Sequence, residues 1–272
     1  MTERMPKVAL VTGAAQRIGR ALALDLARQG FAVAVHYRKR AGAAEEVVAE
    51  IAAAGGRAIA LRGDLAHEGE TAALVPRARE ALGPLGLLVN NAARFERDEV
   101  QDATRESWDL HMETNLRAPF VLSQAFARQL PEAAEGSVVN LLDQRVARLT
   151  PHYVSYTVSK TGLMTLTHTL ALALAPRIRV NAIGPGPVLP GPKQTEERFA
   201  RQWRATLLGR GTTLAEICAA LSFILAAKSM TGQMISLDGG HRLGGPPAAR
   251  QPPAYGADDS ILTSSYKNDW PS

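Results

Sequence analysis

One stretch near the start of the chain limits the possible folds more than any other. Residues 7–12 (KVALVT) are a short β-branched run that passes without a spacer into Gly13-Ala-Ala-Gln-Arg-Ile-Gly19. Apolar residues then recur at helical spacing, Ile18, Leu22 and Leu26, and stop at Gly30. A strand that is apolar on both faces belongs in a buried parallel sheet. A glycine-bearing turn that opens a helix presents backbone N–H groups able to hold a pyrophosphate. The usual G-x-G-x-x-G is absent: Gly13 and Gly19 remain, and Arg17 stands where a middle glycine is expected. Taken alone, the turn is equally consistent with a tight reversal that binds nothing.

The pattern continues along the chain. Residues 31–37 (FAVAVHY), 57–61, 85–89, 137–142 (SVVNLL), 178–183 and 234–237 read as further strands. Helical spacing fills 43–54, closed by Gly55-Gly56, then 70–82, 105–112, 116–130, 154–174 and 214–227. Asn115 falls near a break between two of these helices, and 184–187 (GPGP) is too rich in breakers for regular structure. The polar amphipathic stretch 195–208 reads as a helix that could act as a mobile lid. Strands alternating with helices predict an α/β fold, a doubly wound parallel (Rossmann) sheet in a single domain over residues 1–244. Such sheets bind ligands outside the carboxyl ends of their strands, where Thr12, Tyr37, Asp64, Asn91 and Asp143 fall. Beyond Gly244 the composition shifts to Pro, Ala, Ser and Gly, so 245–272 is expected to be a poorly ordered or surface-draped tail.

Composition narrows the function classes. The 272 residues contain no apolar run of the ~18 residues that suggest a membrane span. MTERMPK carries no signal-peptide core, so a cytoplasmic protein with no membrane contact is expected. The single cysteine, Cys218, excludes an intrachain disulfide and a thiolate cluster, and six scattered His give no ligand-like spacing, so no metal is expected. The net charge of +5 and pI of about 9.6 come from dispersed residues without an aromatic stacking motif. That argues against nucleic acid and for attraction of phosphorylated or carboxylated small molecules.

The second strand ends in His36, Tyr37, Arg38, Lys39 and Arg40, with no Asp or Glu between Phe31 and Gly42. An acidic residue there would receive the ribose 2′-hydroxyl of NAD, whereas a basic end suits the 2′-phosphate of NADP(H). Asp64, followed by Leu65, could accept from an adenine amino group or cap the next helix. Asn90 and Asn91 can tie neighbouring loops, and small Ala92 and Ala93 let backbone approach a ligand.

Chemistry centres on Tyr156-x-x-x-Lys160, with Asp143 upstream at a strand end. Residues four apart share a helix face. A nearby ammonium is expected to lower the Tyr156 pKa and make it a usable acid/base. The kink at Asn115 could aim a carbonyl at Lys160 through water. By chance alone, the same Tyr–Lys spacing occurs in many helices.

Thr12-Gly13…Gly19, Asp64, Asn90-Asn91-Ala92, Asn115, Tyr156-x-x-x-Lys160 and Pro185-Gly186 together resemble the short-chain dehydrogenase/reductase family. The resemblance covers about residues 7–243. It implies a seven-stranded Rossmann sheet, nicotinamide-dependent hydride transfer, and a homotetramer or homodimer packed through long helices. It also implies that Tyr156 protonates the substrate, Lys160 binds the nicotinamide ribose, and Asn115 holds a relay water. Gly13, Arg17, Ile18, His36, Tyr37, Arg38, Asp64, Leu65, Asn91, Ala92, Tyr156, Lys160, Pro185 and Gly186 would hold the cofactor.

Two departures point within the family. Asp143 replaces the family's usual catalytic Ser, and Arg17 replaces a glycine. Both resemble the pteridine reductase branch, including bacterial dihydromonapterin/dihydrofolate reductase-like members, as do TGAAQRIG, His36-Tyr37-Arg38 and Phe95. That branch implies a pterin stacked on Phe95, Arg17 near phosphate and substrate, and acid/base work shared by Asp143 and Tyr156. A carboxylate suits a ring that presents N–H donors better than it suits a ketone oxygen. The expected function is NADPH-dependent reduction of a pterin or dihydrofolate-type ring. The alternatives are a carbonyl reductase or alcohol dehydrogenase acting on a ketone, sugar or acyl thioester, and a non-catalytic NADP-binding redox sensor. The alternative role for Asp143 is a loop carboxylate paired with Arg145 or Arg17, and for Phe95 ordinary loop packing.

Overall fold

The structure, a computed structural model, describes residues 5–191 and 194–244. Expectations for the tail at 245–272 lie outside the described residues. Seven strands, β1 (Val8–Val11), β2 (Ala32–Tyr37), β3 (Ala58–Arg62), β4 (Leu87–Asn90), β5 (Gly136–Leu141), β6 (Ile178–Pro185) and β7 (Met234–Leu237), form one sheet in the order β3-β2-β1-β4-β5-β6-β7. Every neighbouring pair is parallel. The chain order reverses between β1 and β4, which opens a crevice at their carboxyl ends.

Period-two alternation divides the core between the two faces. Ala9 and Val11 of β1, Val33 and Val35 of β2, and Leu87 and Val89 of β4 point to one face, where Leu22 and Leu26 of α1 (Arg17–Arg28), Val47 and Ile51 of α2 (Ala41–Ala53) and Ile217 and Leu221 of α8 (Leu214–Ala226) cover them. Val8, Leu10, Ala34 and Leu88 point to the other. There they meet Leu74 and Val75 of α3 (Glu68–Leu82), Leu122 and Phe126 of α5 (Ala118–Gln129), and Leu170 of α6 (Val154–Leu174). No helix among the described residues is long and apolar enough to cross a membrane.

Three local expectations are corrected. Strand β6 does not stop before the Gly-Pro-Gly-Pro segment: Gly184 and Pro185 continue it opposite Ser236 and Leu237. Proline is tolerated there because it ends the strand, where a missing N–H removes little of the ladder. The break at Asn115 is a π-turn over Glu113–Arg117 that joins α4 (Arg105–Met112) to α5 without a gap. The amphipathic stretch after residue 194 is helical only over α7 (Glu196–Arg204), where Thr195 Oγ1 caps it by accepting from Arg198 N–H.

Candidate active site

The first turn is built around its glycines. Gly13 has φ +64°, a left-handed conformation costly for other residues. A Cβ on Gly19 would lie 2.2 Å from the Gly13 carbonyl oxygen and 2.6 Å from Asn91 Nδ2, so backbone closes that position to any side chain. Arg17, at the missing glycine, also adopts φ +56°, which explains why a glycine would fit there. Its guanidinium donates to the carbonyls of Leu189 (3.1 Å) and Pro190 (2.9 Å), so in this structure it straps the turn to the segment after β6 and does not pair with Asp143.

Neighbouring loops are tied to this turn as the paired asparagines suggested. Thr12 Oγ1 accepts from Asn91 N–H and Ala92 N–H, both at 2.9 Å, and Asn91 Nδ2 donates to the Thr12 carbonyl at 2.8 Å. Asn90 Nδ2 donates to Asn140 Oδ1 at 2.8 Å, linking β4 to β5.

His36 corrects the expectation of a fully cationic strand end. It is 2% exposed, and its Nδ1 accepts from Gly13 N–H at 2.9 Å. That leaves Nε2 to donate to the Gly63 carbonyl at 3.1 Å. Burial drives its pKa down from 6.5 to about 4, so the ring is neutral and acts as a brace between turn and β3. The positive charge at this end comes from Arg38, Lys39 and Arg40. Arg38 Nη1 lies 3.6 Å from Asp64 Oδ2. Asp64 does not cap α3: its Oδ1 accepts from Ala66 N–H at 3.1 Å, and His67 occupies the cap position.

A cleft of about 530 Å³ runs from this basic end to the carboxyl ends of β4 and β5. Gly13, Arg17, Ile18, His36, Tyr37, Arg38, Asp64, Leu65, Asn91 and Ala92 line it, with Phe95, Asp143 and Tyr156. Lys160 and Asn115 sit behind this lining, 2% and 0% exposed, and Pro185 and Gly186 also lie outside it.

At the far end, Tyr156 Oη donates to Asp143 Oδ2 at 3.0 Å. Asp143 Oδ1 accepts from Arg145 N–H at 2.8 Å, and Arg145 Nη1 lies 3.2 Å from Oδ2. Asp143 therefore pairs with Arg145, as one of its expected roles had it, and also faces Tyr156. The expectation that Lys160 lowers the Tyr156 pKa does not hold in this state. Burial raises the phenol well above its ordinary value, and the adjacent Asp143 carboxylate raises it further, against a smaller opposing effect from Arg145. Lys160 Nζ is 6.0 Å from the Tyr156 ring centroid and donates to the Leu141 carbonyl at 2.7 Å. Burial lowers its pKa to about 8.

The Asn115 side chain clamps backbone: Oδ1 accepts from Arg94 N–H at 2.8 Å, and Nδ2 donates to the Arg94 carbonyl and Ser159 Oγ, each at 3.0 Å.

Phe95 is 51% exposed, and one of its faces stacks on Tyr153, with centroids 4.6 Å apart and planes at 5°. The Tyr156 ring meets Phe95 edge-on at 4.7 Å. The Arg145 guanidinium lies 5.3 Å from Phe95 and 5.1 Å from Tyr153, near-equal distances that place it beside the stack. Half-exposed and lining the cleft, Phe95 leaves part of its ring accessible to a flat ligand. Sequence reading missed Tyr153 and the pairing of Arg145 with the aromatics. The only available signal was a second aromatic, Tyr153, three residues before Tyr156.

This cleft fits a phosphorylated dinucleotide. Its turn leaves no room for a Cβ at Gly19, three cations stand at the β2 end, and its volume suits a cofactor-sized ligand.

A family model described as "Enoyl-(Acyl carrier protein) reductase" matches residues 13–242. The fold is similar to crystal structures of FolM alternative dihydrofolate reductase 1 complexed with NADP from two Brucella species. The Brucella suis protein is 44% identical, with TM-score 0.85, covering 90% of this chain and 97% of that one. The Brucella canis protein is 43% identical, with TM-score 0.85, covering 92% and 99%. Among curated proteins, a 3-oxoacyl-[acyl-carrier-protein] reductase, FabG, from Staphylococcus aureus is 34% identical over 243 residues, 87% of this chain and 98% of its own.

Proposed function

The chain belongs to the short-chain dehydrogenase/reductase family, and from that premise we propose that it is an NADPH-dependent reductase of a pterin or dihydrofolate-type ring. The observation that carries this reading is the 3.0 Å hydrogen bond from Tyr156 to Asp143, beside the half-exposed Phe95 in the cleft lining. While Asp143 accepts from Tyr156, the phenol's proton is committed to the carboxylate. A ligand ring with N–H or amino donors offers Asp143 a replacement partner and frees Tyr156 to donate to the ring nitrogen. A ketone oxygen has no donor and meets the carboxylate with its own lone pairs.

The residues divide the work accordingly. The Gly13–Gly19 turn with Ile18, Asn91 and Ala92 would hold NADPH, with Arg38, Lys39 and Arg40 at its 2′-phosphate and Asp64 and Leu65 near its adenine; Pro185 and Gly186, outside the cleft lining, would reach it only from the end of β6. Bound NADPH supplies the hydride. Phe95 holds the ring flat by stacking, worth about 1 kcal/mol beyond the area it buries. Tyr156 gives a proton to nitrogen as a C=N bond is reduced. Lys160 places a positive charge behind the phenolate that this leaves, and Asn115 fixes the backbone beside Phe95. Arg145 neutralises part of the Asp143 charge, and Arg17 adds positive charge at the cofactor turn. A cytoplasmic homotetramer or homodimer, one domain per chain, belongs to the same proposal.

NADPH oxidation followed spectrophotometrically with dihydrobiopterin, dihydromonapterin and dihydrofolate tests the reading. Turnover of at least one is expected. Turnover of simple ketones or an acetoacetyl thioester, and of none of the three rings, would favour a second reading, carbonyl reduction. The likeness to 3-oxoacyl-[acyl-carrier-protein] reductases favours that alternative.

A further inference from the structure

Behind the cleft, and outside its lining, lies a buried polar relay that the chemistry above does not use. Asp98, His111 and Ser155 are 3%, 0% and 0% exposed. Glu96 N–H donates to His111 Nε2 at 3.1 Å, which makes that nitrogen the acceptor of the neutral ring. The proton therefore sits on Nδ1, which donates to Ser155 Oγ at 2.6 Å. Ser155 Oγ donates onward to Asp98 Oδ2. Asp98 also accepts from Ser155 N–H at 3.2 Å and Ser107 Oγ at 3.2 Å, and its carbonyl accepts from Tyr153 N–H at 2.8 Å.

The relay joins two segments that carry the aromatic stack. On one side it grips Glu96 and Asp98, just after Phe95, while Asn115 grips Arg94 just before it. On the other it grips the start of α6, where Tyr153 adopts φ +61° and Ser155 adjoins Tyr156. Donor direction is fixed throughout: Glu96 N–H to His111, His111 to Ser155, Ser155 to Asp98. An apolar residue at 111 would break both of these links and leave the part-buried Glu96 N–H without this acceptor. The rings of His111 and Tyr156 are 6.0 Å apart, so His111 is a neighbour of the acid and not a participant.

We infer that His111 is a positioning residue for ring binding, holding Phe95 at a set distance from the first turn of α6 through Glu96 on one side and Ser155 on the other. The inference rests on the proposed ring substrate and adds the residue that sets affinity for it.

The test compares His111→Leu, His111→Gln and Ser155→Ala in the full chain. Leucine keeps apolar volume and removes both bonds, glutamine can accept and donate in the same sense, and Ser155→Ala cuts the relay from the other end. With dihydrofolate or dihydrobiopterin, His111→Leu and Ser155→Ala are expected to raise KM about tenfold, the scale of one net buried hydrogen bond, with kcat and the NADPH Kd within about twofold of wild type. His111→Gln is expected to restore most of the loss. Hydrogen exchange at the Glu96 and Tyr153 amides is expected to quicken in the leucine and alanine variants and stay near wild type in the glutamine variant. Unchanged KM and exchange in the leucine and alanine variants would overturn the inference. So would a KM rise matched by an equal rise in NADPH Kd, or no rescue by glutamine. If the wild type reduces none of the rings, the proposed substrate class fails, and the exchange measurements decide the positioning role by themselves.

Discussion

Replacing His36 by Leu should change the stability of this protein in a way that depends on pH, and the size follows from the brace it forms. At neutral pH the wild-type ring joins Gly13 N–H to the Gly63 carbonyl. Leucine leaves the part-buried Gly13 N–H and the buried Gly63 carbonyl without this partner, a loss of about 1–3 kcal/mol for each that stays unsatisfied. Acid acts on the wild type instead. Its folded pKa is depressed from 6.5 to about 4, so between those values the unfolded chain binds a proton that the folded chain refuses. The contribution of His36 to stability is therefore complete above about pH 6.5 and falls as pH drops through the folded value, a total of roughly 3 kcal/mol at 1.36 kcal/mol per unit. The leucine variant has no such loss at this site. Urea denaturation of both proteins across this range should show the variant clearly less stable at neutral pH and the gap narrowing, or reversing, near pH 4. A gap that stays constant with pH would refute the account of a neutral bracing histidine. Because the brace holds the first glycine of the turn, NADPH affinity should weaken in the variant at neutral pH.

Two further outcomes follow from the same geometry. Asp143→Asn removes the charge that, after burial, does most to raise the Tyr156 pKa, so the basic limb of kcat/KM should move to lower pH. An unmoved limb would separate Tyr156 from that carboxylate. Gly19→Ala sets a methyl against the Gly13 carbonyl, an unyielding neighbour, and should destabilise the fold by at least ~1 kcal/mol and weaken NADPH binding, both read by thermal denaturation with and without the dinucleotide.

The sheet was legible because its signals are periodic and local. Val8 to Val11 and Leu87 to Val89 are apolar throughout because both of their faces are covered, and alternate residues fall into two separate cores. Gly13, Asp64, Asn91 and Asp143 were found for a related reason: strand ends in a parallel sheet face one crevice. What escaped detection depends on partners distant in sequence or on backbone acceptors. Lys160 binds the Leu141 carbonyl and Arg17 those of Leu189 and Pro190, and a carbonyl is present at every position. The direction of the Tyr156 shift required the burial of the phenol and the reach of Asp143, neither of which is encoded in spacing. The His111–Ser155 contact spans 44 positions and has no local pattern.

The residue at the vacant glycine position also links two functions. Two of the five N–H donors of Arg17 are taken by the segment that follows β6, and the residue also lines the cleft. An anion arriving at this turn would draw on the same guanidinium that anchors Leu189 and Pro190. On the proposed cofactor placement, dinucleotide occupancy and the seating of that segment would share one side chain, which a simple glycine would have left independent.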